Sequence, residues 1–403
     1  MKRILFYSKN FCGENVKGGL EVATCRIADA IKASGEWEVY NAFLSKSDGK
    51  EKSVYKDVIK LSRDAVRFEN QLAKFIAGNE IDVVVNMSRF FRHKLLIRAS
   101  HKSGKNVKII FMHHFAPGSE NKKGTYASGF HLLRLNPFNP VYWLRASVYP
   151  LLKLYRNKSI GKIYRKVYEA SDRVVLLSQN YIRPYKEIAG LKDEHKFVAI
   201  PNIYDCKASY NKGDFRKMKR VLVLSRMDEI QKRVSLALHI WARIEKEENI
   251  HDWHLDVVGS GHDFNIMKRL AKKLKLENTT FHGWKNNRSF LEQSSVLMMT
   301  SEYEGLPLSI LEAQSYGCVP VAFNSFGSLT DIIRDNETGV VVENFGDVNE
   351  YAKRLKELMI CEDKRNEIAH RAMFQSETFT SETIGKKWCL MLESIFNNDF
   401  RNE

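Results

Sequence analysis

A chain of 403 residues with 44% hydrophobic side chains is long enough for two domains of ordinary size, each with its own core. Its six cysteines, Cys12, Cys25, Cys206, Cys318, Cys361 and Cys389, form no C-x-x-C pair, which excludes a zinc ribbon or a disulfide framework and points to a reducing compartment. The net charge of +16 comes from one half: residues 1–200 hold 36 Lys+Arg against 18 Asp+Glu, and residues 201–403 hold 28 against 30.

The N-terminal MKRILFYSKN has too short an apolar run for a signal peptide. No stretch reaches the roughly 18 apolar residues of a membrane span. The expectation is a cytoplasmic chain, soluble or peripheral at the inner face of the cytoplasmic membrane.

In chain order, a strand is predicted at Arg3–Tyr7, then Lys17-Gly18-Gly19, then a helical pattern at Leu20–Ala33. Strands at Glu38–Leu44, Ile81–Asn86 and Val107–Met112 follow, with a helical pattern at Val58–Ala77 between them. His113 and His114 stand at the end of the Val107–Met112 strand. From Phe130 to Val167 there are eight Lys/Arg and no acidic residue. Tyr142, Trp143, Tyr149, Leu151, Leu152, Tyr155 and Tyr164 are interleaved with them, a composition suited to an anionic membrane face. A solvated helix with ordinary core residues reads the same way. After a strand at Arg173–Leu177, the polar segment Pro201–Met218 marks a boundary.

The second half repeats the scheme. Strands are predicted at Arg220–Leu224, His254–Val258, Thr280–His282, Val296–Thr300, Val319–Phe323 and Gly339–Val342. Helical patterns fill Val234–Glu248, Phe264–Leu276, Ser309–Tyr316 and Asn349–Met359. Such alternation implies an α/β fold of two Rossmann-like domains with parallel sheets. Ligands then bind at the carboxyl ends of strands, naturally in the cleft between domains.

Four strand ends of the second half carry polar or glycine signals. Arg226 and Lys232 follow the first, and can neutralise a leaving diphosphate without a metal. Gly259 and Gly261 follow the second, in a G-x-G turn that is a weak signal alone. His282, Gly283 and Trp284 end the third, where an aromatic can pack on a base. After the fourth comes Ser301 to Pro320. There Pro307 suits the first helical position, and the N–H groups around Gly305, Leu306 and Leu308 suit a phosphate. Glu304 and Glu312 are eight residues apart, roughly 12 Å on an ideal helix, about the reach from a sugar across a diphosphate to a ribose. Taken alone, the pair reads equally well as a helix-end carboxylate and a surface residue.

Residues 220–345 closely resemble the donor-binding domain of glycosyltransferase family 4, the retaining enzymes of the GT-B fold. Glu304-x7-Glu312 is similar to its E-x7-E motif, and Arg226 and Lys232 to its phosphate-binding Arg and Lys. Ser225 stands where a Gly is usual, one extra residue separates Arg226 from Lys232, and Arg233 is adjacent. The resemblance implies that Glu304 contacts the donor sugar and Glu312 the ribose, with Gly305, Leu306 and Pro307 lining the pocket. Gly18 and Gly19 resemble the family's glycine-rich loop. His113, favoured over His114, resembles the residue near the sugar's primary hydroxyl. Ala199–Asp205 resembles the interdomain segment, and Thr383–Phe396 the helices that cross back to the first domain.

The implied domains are 1–205 with 382–403, on the acceptor side, and 206–381, on the donor side. The implied reaction is retaining transfer of a hexose or N-acetylhexosamine, with UDP favoured over GDP, to a glycan or lipid-linked acceptor in bacterial surface-polysaccharide synthesis. A donor phosphate oxygen would take the acceptor's proton. No cofactor and no metal are expected, since no D-x-D pair occurs. A nucleic-acid partner is not expected, because the basic half carries no recognised nucleic-acid motif. A basic nucleic-acid-binding protein and a nucleotide-sugar 2-epimerase on a similar fold are the alternatives.

Overall fold

The structure, a computed structural model, describes residues 1–12, 19–45, 54–88, 90–122, 138–205 and 217–397. The side chains of Phe91, Arg145 and residues 149–155 lie outside that description. The chain divides into two units: Met1–Asn121 with Ser147–Ile203 and Phe379–Glu403, and Lys122–Ala146 with Tyr204–Thr378.

The first unit is built on a seven-stranded parallel sheet. Its strands are β1 (Lys2–Asn10), β2 (Trp37–Ser45), β3 (Asp57–Lys60), β4 (Val83–Asn86), β5 (Lys108–His113), β6 (Arg173–Leu176) and β7 (Phe197–Ala199). They lie in the order β3-β2-β1-β4-β5-β6-β7. Strands covered on both faces read as continuous apolar runs: Ile4 to Tyr7 and Val83 to Val85 are all buried. One face packs Phe68, Leu72 and Ile76 of helix Ala65–Gly78 against Leu5, Tyr7, Tyr40 and Val84.

Two elements depart from the sequence reading here. The helical pattern at Val58–Ala77 is in fact an edge strand, β3, followed by a helix that starts at Ala65. Asp64 sets that start, because its carboxylate accepts the Arg67 N–H at 2.9 Å. The three-residue β7 at the other edge is too short to announce itself by alternation.

The C-terminal helix Ser381–Ser394 belongs to this unit and packs on helix Gly19–Ala33. Thr380 caps it, Trp388 is wholly buried, and a Cβ on Gly385 would come within 3.0 Å of the Ala30 Cβ. Close approach of two helix backbones therefore requires the glycine.

The second unit has six parallel strands: β8 (Met218–Leu224), β9 (His254–Val258), β10 (Thr279–Gly283), β11 (Ser294–Met299), β12 (Val319–Phe323) and β13 (Val340–Val342). The order is β10-β9-β8-β11-β12-β13. Val221, Val223, Leu255, Val257, Val296 and Val321 share a core with Trp241 of helix Val234–Ile244 and with Trp253. Both sheets thus have the doubly wound order in which the progression reverses beside the first strand.

Among the described residues no helix is long and apolar enough to cross a membrane. Helix Pro140–Glu169 carries much of the basic, aromatic stretch. It exposes Trp143 and Leu144, whereas Tyr164 is fully buried. The expectation for residues 130–137, and for the side chains of Tyr149, Leu151, Leu152 and Tyr155, lies outside the described residues.

Candidate active site

In the second unit the strand order reverses between β8 and β11. The chains leaving these strands turn to opposite faces, and a crevice opens at the carboxyl ends between them. From β8 the chain passes Ser225 and Arg226 into a short helical turn, Glu229–Lys232, capped by Asp228. Arg233 then takes a left-handed conformation, φ 49°, and helix Val234–Ile244 begins. From β11 the chain runs through Thr300 to Pro307 and into helix Leu308–Ser315.

The two chains are tied side by side. The Thr300 hydroxyl lies 3.1 and 3.0 Å from the Lys232 and Arg233 carbonyl oxygens. The Glu302 N–H donates to the Gln231 carbonyl at 2.8 Å, and the Glu302 carboxylate pairs with the Arg233 guanidinium.

Within this frame Glu304 is buried and both its oxygens are held. Lys232 Nζ lies 2.5 Å from Oε1. Gln231 Nε2 donates to Oε2 and to the Tyr303 carbonyl, each at 3.2 Å. Gln231 Oε1 in turn accepts from Arg226 Nη2 at 3.1 Å, and Arg226 also pairs with Asp228 at 3.2 Å. Arg226, Lys232 and Glu304 therefore share one hydrogen-bonded cluster. The guanidinium is its exposed member, 58% accessible, whereas the ammonium and carboxylate are largely withdrawn from water together. The sequence reading chose Lys232 with Arg233 adjacent, and across the left-handed turn at Arg233 the two meet different carboxylates, Glu304 and Glu302.

Pro307 is not the first helical residue. It is the cap, with φ −74° and ψ 106°, and the helix begins at Leu308. Its carbonyl accepts the Ile310 N–H, so the donors left at this end are those of Leu308 and Ser309. Glu304 consequently lies outside the helix that holds Glu312, and the ideal-helix spacing does not apply to the pair. Gly305, Leu306 and Pro307 are all buried beside Glu304. Glu312 is half-buried, and its Oε2 accepts from Asn287 Nδ2 at 2.8 Å.

The glycine turn after β9 meets the loop after β8. A Cβ on Gly259 would fall 1.8 Å from the Ser225 carbonyl oxygen, and one on Gly261 2.3 Å from that of Met227. These glycines are required by the protein's own backbone, since the Met227 N–H donates to the Ser260 carbonyl at 3.0 Å between them. His282 turns toward the sheet: Nε2 lies 2.7 Å from Oδ1 of the buried Asp256, which also pairs with Arg220. Gly283 has φ 67°, and Trp284 beyond it is exposed.

In the first unit Gly18 lies outside the described residues, and Gly19 opens helix Gly19–Ala33 with open space at its Cβ position. His113 ends β5 and is buried among the rings of Phe90, Tyr164 and Tyr185. Its Nε2 lies 3.0 Å from Glu120 Oε1, and the Tyr164 hydroxyl donates to Glu120 Oε2 at 2.8 Å. Burial pushes the Glu120 carboxyl up, but the hydrogen bond and charge of His113 outweigh it and hold it below its ordinary value. The ionised carboxylate only accepts, so Nε2 carries a proton. Among the described residues, His113 Nδ1 and His114 Nε2 are buried without a hydrogen-bond partner. Burial first, and His113 second, push His114 down to about 3.

The sequence reading missed Gln231, Asn287, Asp256 and Glu120. Gln231, Asn287 and Glu120 sit in polar stretches whose composition carries no signal, Asp256 lies within strand β9, and only the fold brings each to its partner. Among the described residues no three His, Cys, Asp or Glu side chains gather as a metal site.

Residues 207–373 match the family "Glycosyl transferases group 1". An amylovoran biosynthesis glycosyltransferase of Erwinia amylovora is 29% identical over 235 residues, 57% of this chain; the chain thus spans less than two thirds, 64%, of that relative's length. Among solved structures, the lipopolysaccharide outer core galactosyltransferase WaaB superimposes with a TM-score of 0.70 at 16% identity, over 97% of this chain and 99% of that one. HepE of Anabaena, in complex with UDP and glucose, superimposes with a TM-score of 0.71 at 15% identity, over 98% and 100%. At these identities the structures speak for the fold. Residues 207–373 belong to the glycosyl transferases group 1 family, and they are set in a chain with the two Rossmann-like sheets of the GT-B glycosyltransferases.

Proposed function

We propose that this protein transfers a hexose or N-acetylhexosamine, with retention and without a metal, from a nucleotide-sugar to a glycan or lipid-linked acceptor. UDP is favoured over GDP. The observation that carries the reading is the Arg226–Gln231–Glu304–Lys232 cluster at the reversal of strand order. It sets two cations and a carboxylate where such sheets bind nucleotides. The amylovoran relative supports a setting in bacterial surface-polysaccharide synthesis, and HepE, bound to UDP and glucose, supports a uridine donor.

In this reading the diphosphate meets Arg226, Lys232 and the N–H groups of Leu308 and Ser309, which offset the charge that builds as the anomeric bond breaks. Glu304 holds the sugar and Glu312 the ribose. Gly305, Leu306 and Pro307 shape the pocket by backbone. Gly259, Gly261, His282, Gly283 and Trp284 frame the nucleotide, Trp284 against the base. By the family resemblance alone, Gly18, Gly19 and His113 are assigned to the donor's phosphates and sugar. The acceptor's proton passes to a donor phosphate oxygen, so no carboxylate acts as nucleophile. The chain works in the cytoplasm, at the inner membrane face, with residues 130–167 toward anionic lipid; nucleic acid is not a partner.

A thermal-shift panel of UDP- and GDP-sugars in EDTA tests this, because a bound donor stabilises by mass action. A UDP-sugar should give the largest shift. Shifts that appear only when Mn²⁺ is restored overturn metal independence, and epimerisation of the donor without acceptor overturns transfer. With the selected donor, Glu304→Ala should lower mainly kcat, and Glu312→Ala should raise mainly KM.

A further inference from the structure

Gln231 is buried, 5% exposed, between the cation that faces solvent and the carboxylate that does not. Every polar atom of its amide is used by the cluster. The oxygen accepts from Arg226 at 3.1 Å, and the nitrogen donates to Glu304 Oε2 and the Tyr303 carbonyl at 3.2 Å each. Its main-chain carbonyl accepts from Glu302 at 2.8 Å. It is therefore the residue that joins the chain leaving β8 to the chain leaving β11 at the site itself.

The two oxygens of Glu304 have different kinds of holder. Oε1 is held by Lys232, a mobile cation that a diphosphate also attracts. Oε2 is held by a neutral amide for which an anionic ligand does not compete. When a phosphate draws the ammonium toward itself, the ion pair weakens and the amide bond remains. A carboxylate held by a neutral amide on one side keeps its other oxygen aimed for a hydroxyl as the ammonium moves.

We propose that Gln231 is a positioning residue: it keeps Glu304 aimed at the donor's sugar while Lys232 engages the diphosphate. The inference rests on the donor-site reading above. It follows that Gln231 contributes more to recognition of the sugar than to recognition of the nucleoside diphosphate, which it meets only through Arg226.

Calorimetric Kd values for UDP and for the UDP-sugar selected by the panel test this, with GDP and its sugar used if the panel selects guanosine. Gln231→Met keeps the shape of the side chain and removes its hydrogen bonds. The variant should bind the nucleoside diphosphate within about twofold of the parent and lose about tenfold in affinity for the nucleotide-sugar. Gln231→Glu supplies a readout that loss of packing would not move. The groups facing residue 231 are Arg226, Asp228, Lys232 and Glu304. A second carboxylate beside Glu304 raises the pKa of the pair, so one proton is retained at lower pH and can replace the amide's donation. Sugar affinity in Gln231→Glu should therefore fall as pH rises, relative to the parent, and by more than UDP affinity, which the added charge beside Arg226 also lowers.

Gln231→Met that keeps the sugar's added affinity, or Gln231→Glu with the parent's pH profile, overturns the positioning role alone, provided Arg226→Ala and Lys232→Ala each weaken UDP. UDP binding that neither of those two substitutions changes overturns the donor site, and the positioning role with it.

Discussion

Glu304 and Lys232 show how a pair of ordinary surface residue types becomes expensive to disturb. Each is mostly withdrawn from water, and each satisfies the other. Removing one partner takes away the other's ion pair, at a cost of about 3 kcal/mol for a buried pair. Lys232→Met should therefore lower stability by about that amount, measured by chemical unfolding. Lys232→Met with Glu304→Gln should regain most of the loss yet stay inactive, which separates the pair's structural role from its proposed one. His93 makes a second point at this scale. It is 2% exposed, with Nδ1 3.2 Å from Asn86 Nδ2 and Nε2 3.0 Å from the Ser171 hydroxyl. That hydroxyl donates its own proton to the Val167 carbonyl, so Nε2 donates, Nδ1 accepts and the ring is neutral. Burial pushes its pKa down to about 4. The folded pKa lies below the unfolded one, near 6.5, so its contribution is complete above pH 6.5 and is lost as pH falls toward 4. The loss amounts to about 3 kcal/mol. His93→Gln should make stability less dependent on pH between 6.5 and 4 than it is in the parent, measured by unfolding at a series of pH values.

At the scale of elements, the site depends on three loops whose backbones meet. Gly259 has φ 138°, and a Cβ there would lie 1.8 Å from the Ser225 carbonyl oxygen, beside Arg226. Gly283 has φ 67° with nothing near its Cβ position. Gly259→Ala should therefore cost about 2–4 kcal/mol and displace Arg226, with donor affinity falling alongside stability. Gly283→Ala should cost only about 1 kcal/mol, the left-handed penalty alone. Thermal unfolding with and without UDP distinguishes the two. The strands of the second unit were legible because parallel strands buried on both faces are unbroken apolar runs, as in Val319–Phe323. Edge strand β3 was not, since Asp57, Val58 and Lys60 are exposed and no apolar face marks the period. Helix Pro140–Glu169 was one of two readings of its stretch, as its aromatics are shared between a buried Tyr164 and an exposed Trp143 rather than gathered on one stripe.

At the scale of the whole molecule, charge is the feature that composition alone reveals. The first 200 residues carry the entire positive excess, and the second half is nearly neutral. Helix Pro140–Glu169 adds exposed Val141, Trp143 and Leu144 to that basic half. Flotation with vesicles containing phosphatidylglycerol should therefore recover the protein at low salt and release it at high salt, because surface charge is screened within about 10 Å at 0.1 M. Vesicles of phosphatidylcholine should not recover it, and Trp143→Ala with Leu144→Ala should weaken recovery. Absence of binding to the anionic vesicles at low salt overturns the membrane-facing role of residues 130–167.

The sequence by itself determined the two Rossmann-like sheets and the strand ends that carry polar signals, and it singled out Arg226, Lys232, Glu304 and Glu312 as candidates. These follow from local apolar periodicity and from residue type, both of which a linear chain displays. Only the tertiary structure decided that Pro307 is a cap, that Lys232 and Arg233 serve different carboxylates, and that Gln231 joins Arg226 to Glu304. Gln231 and Glu304 stand 73 residues apart, and no local pattern links them. Their meeting depends on β8 and β11 lying side by side at the reversal of strand order, a property of the folded sheet alone.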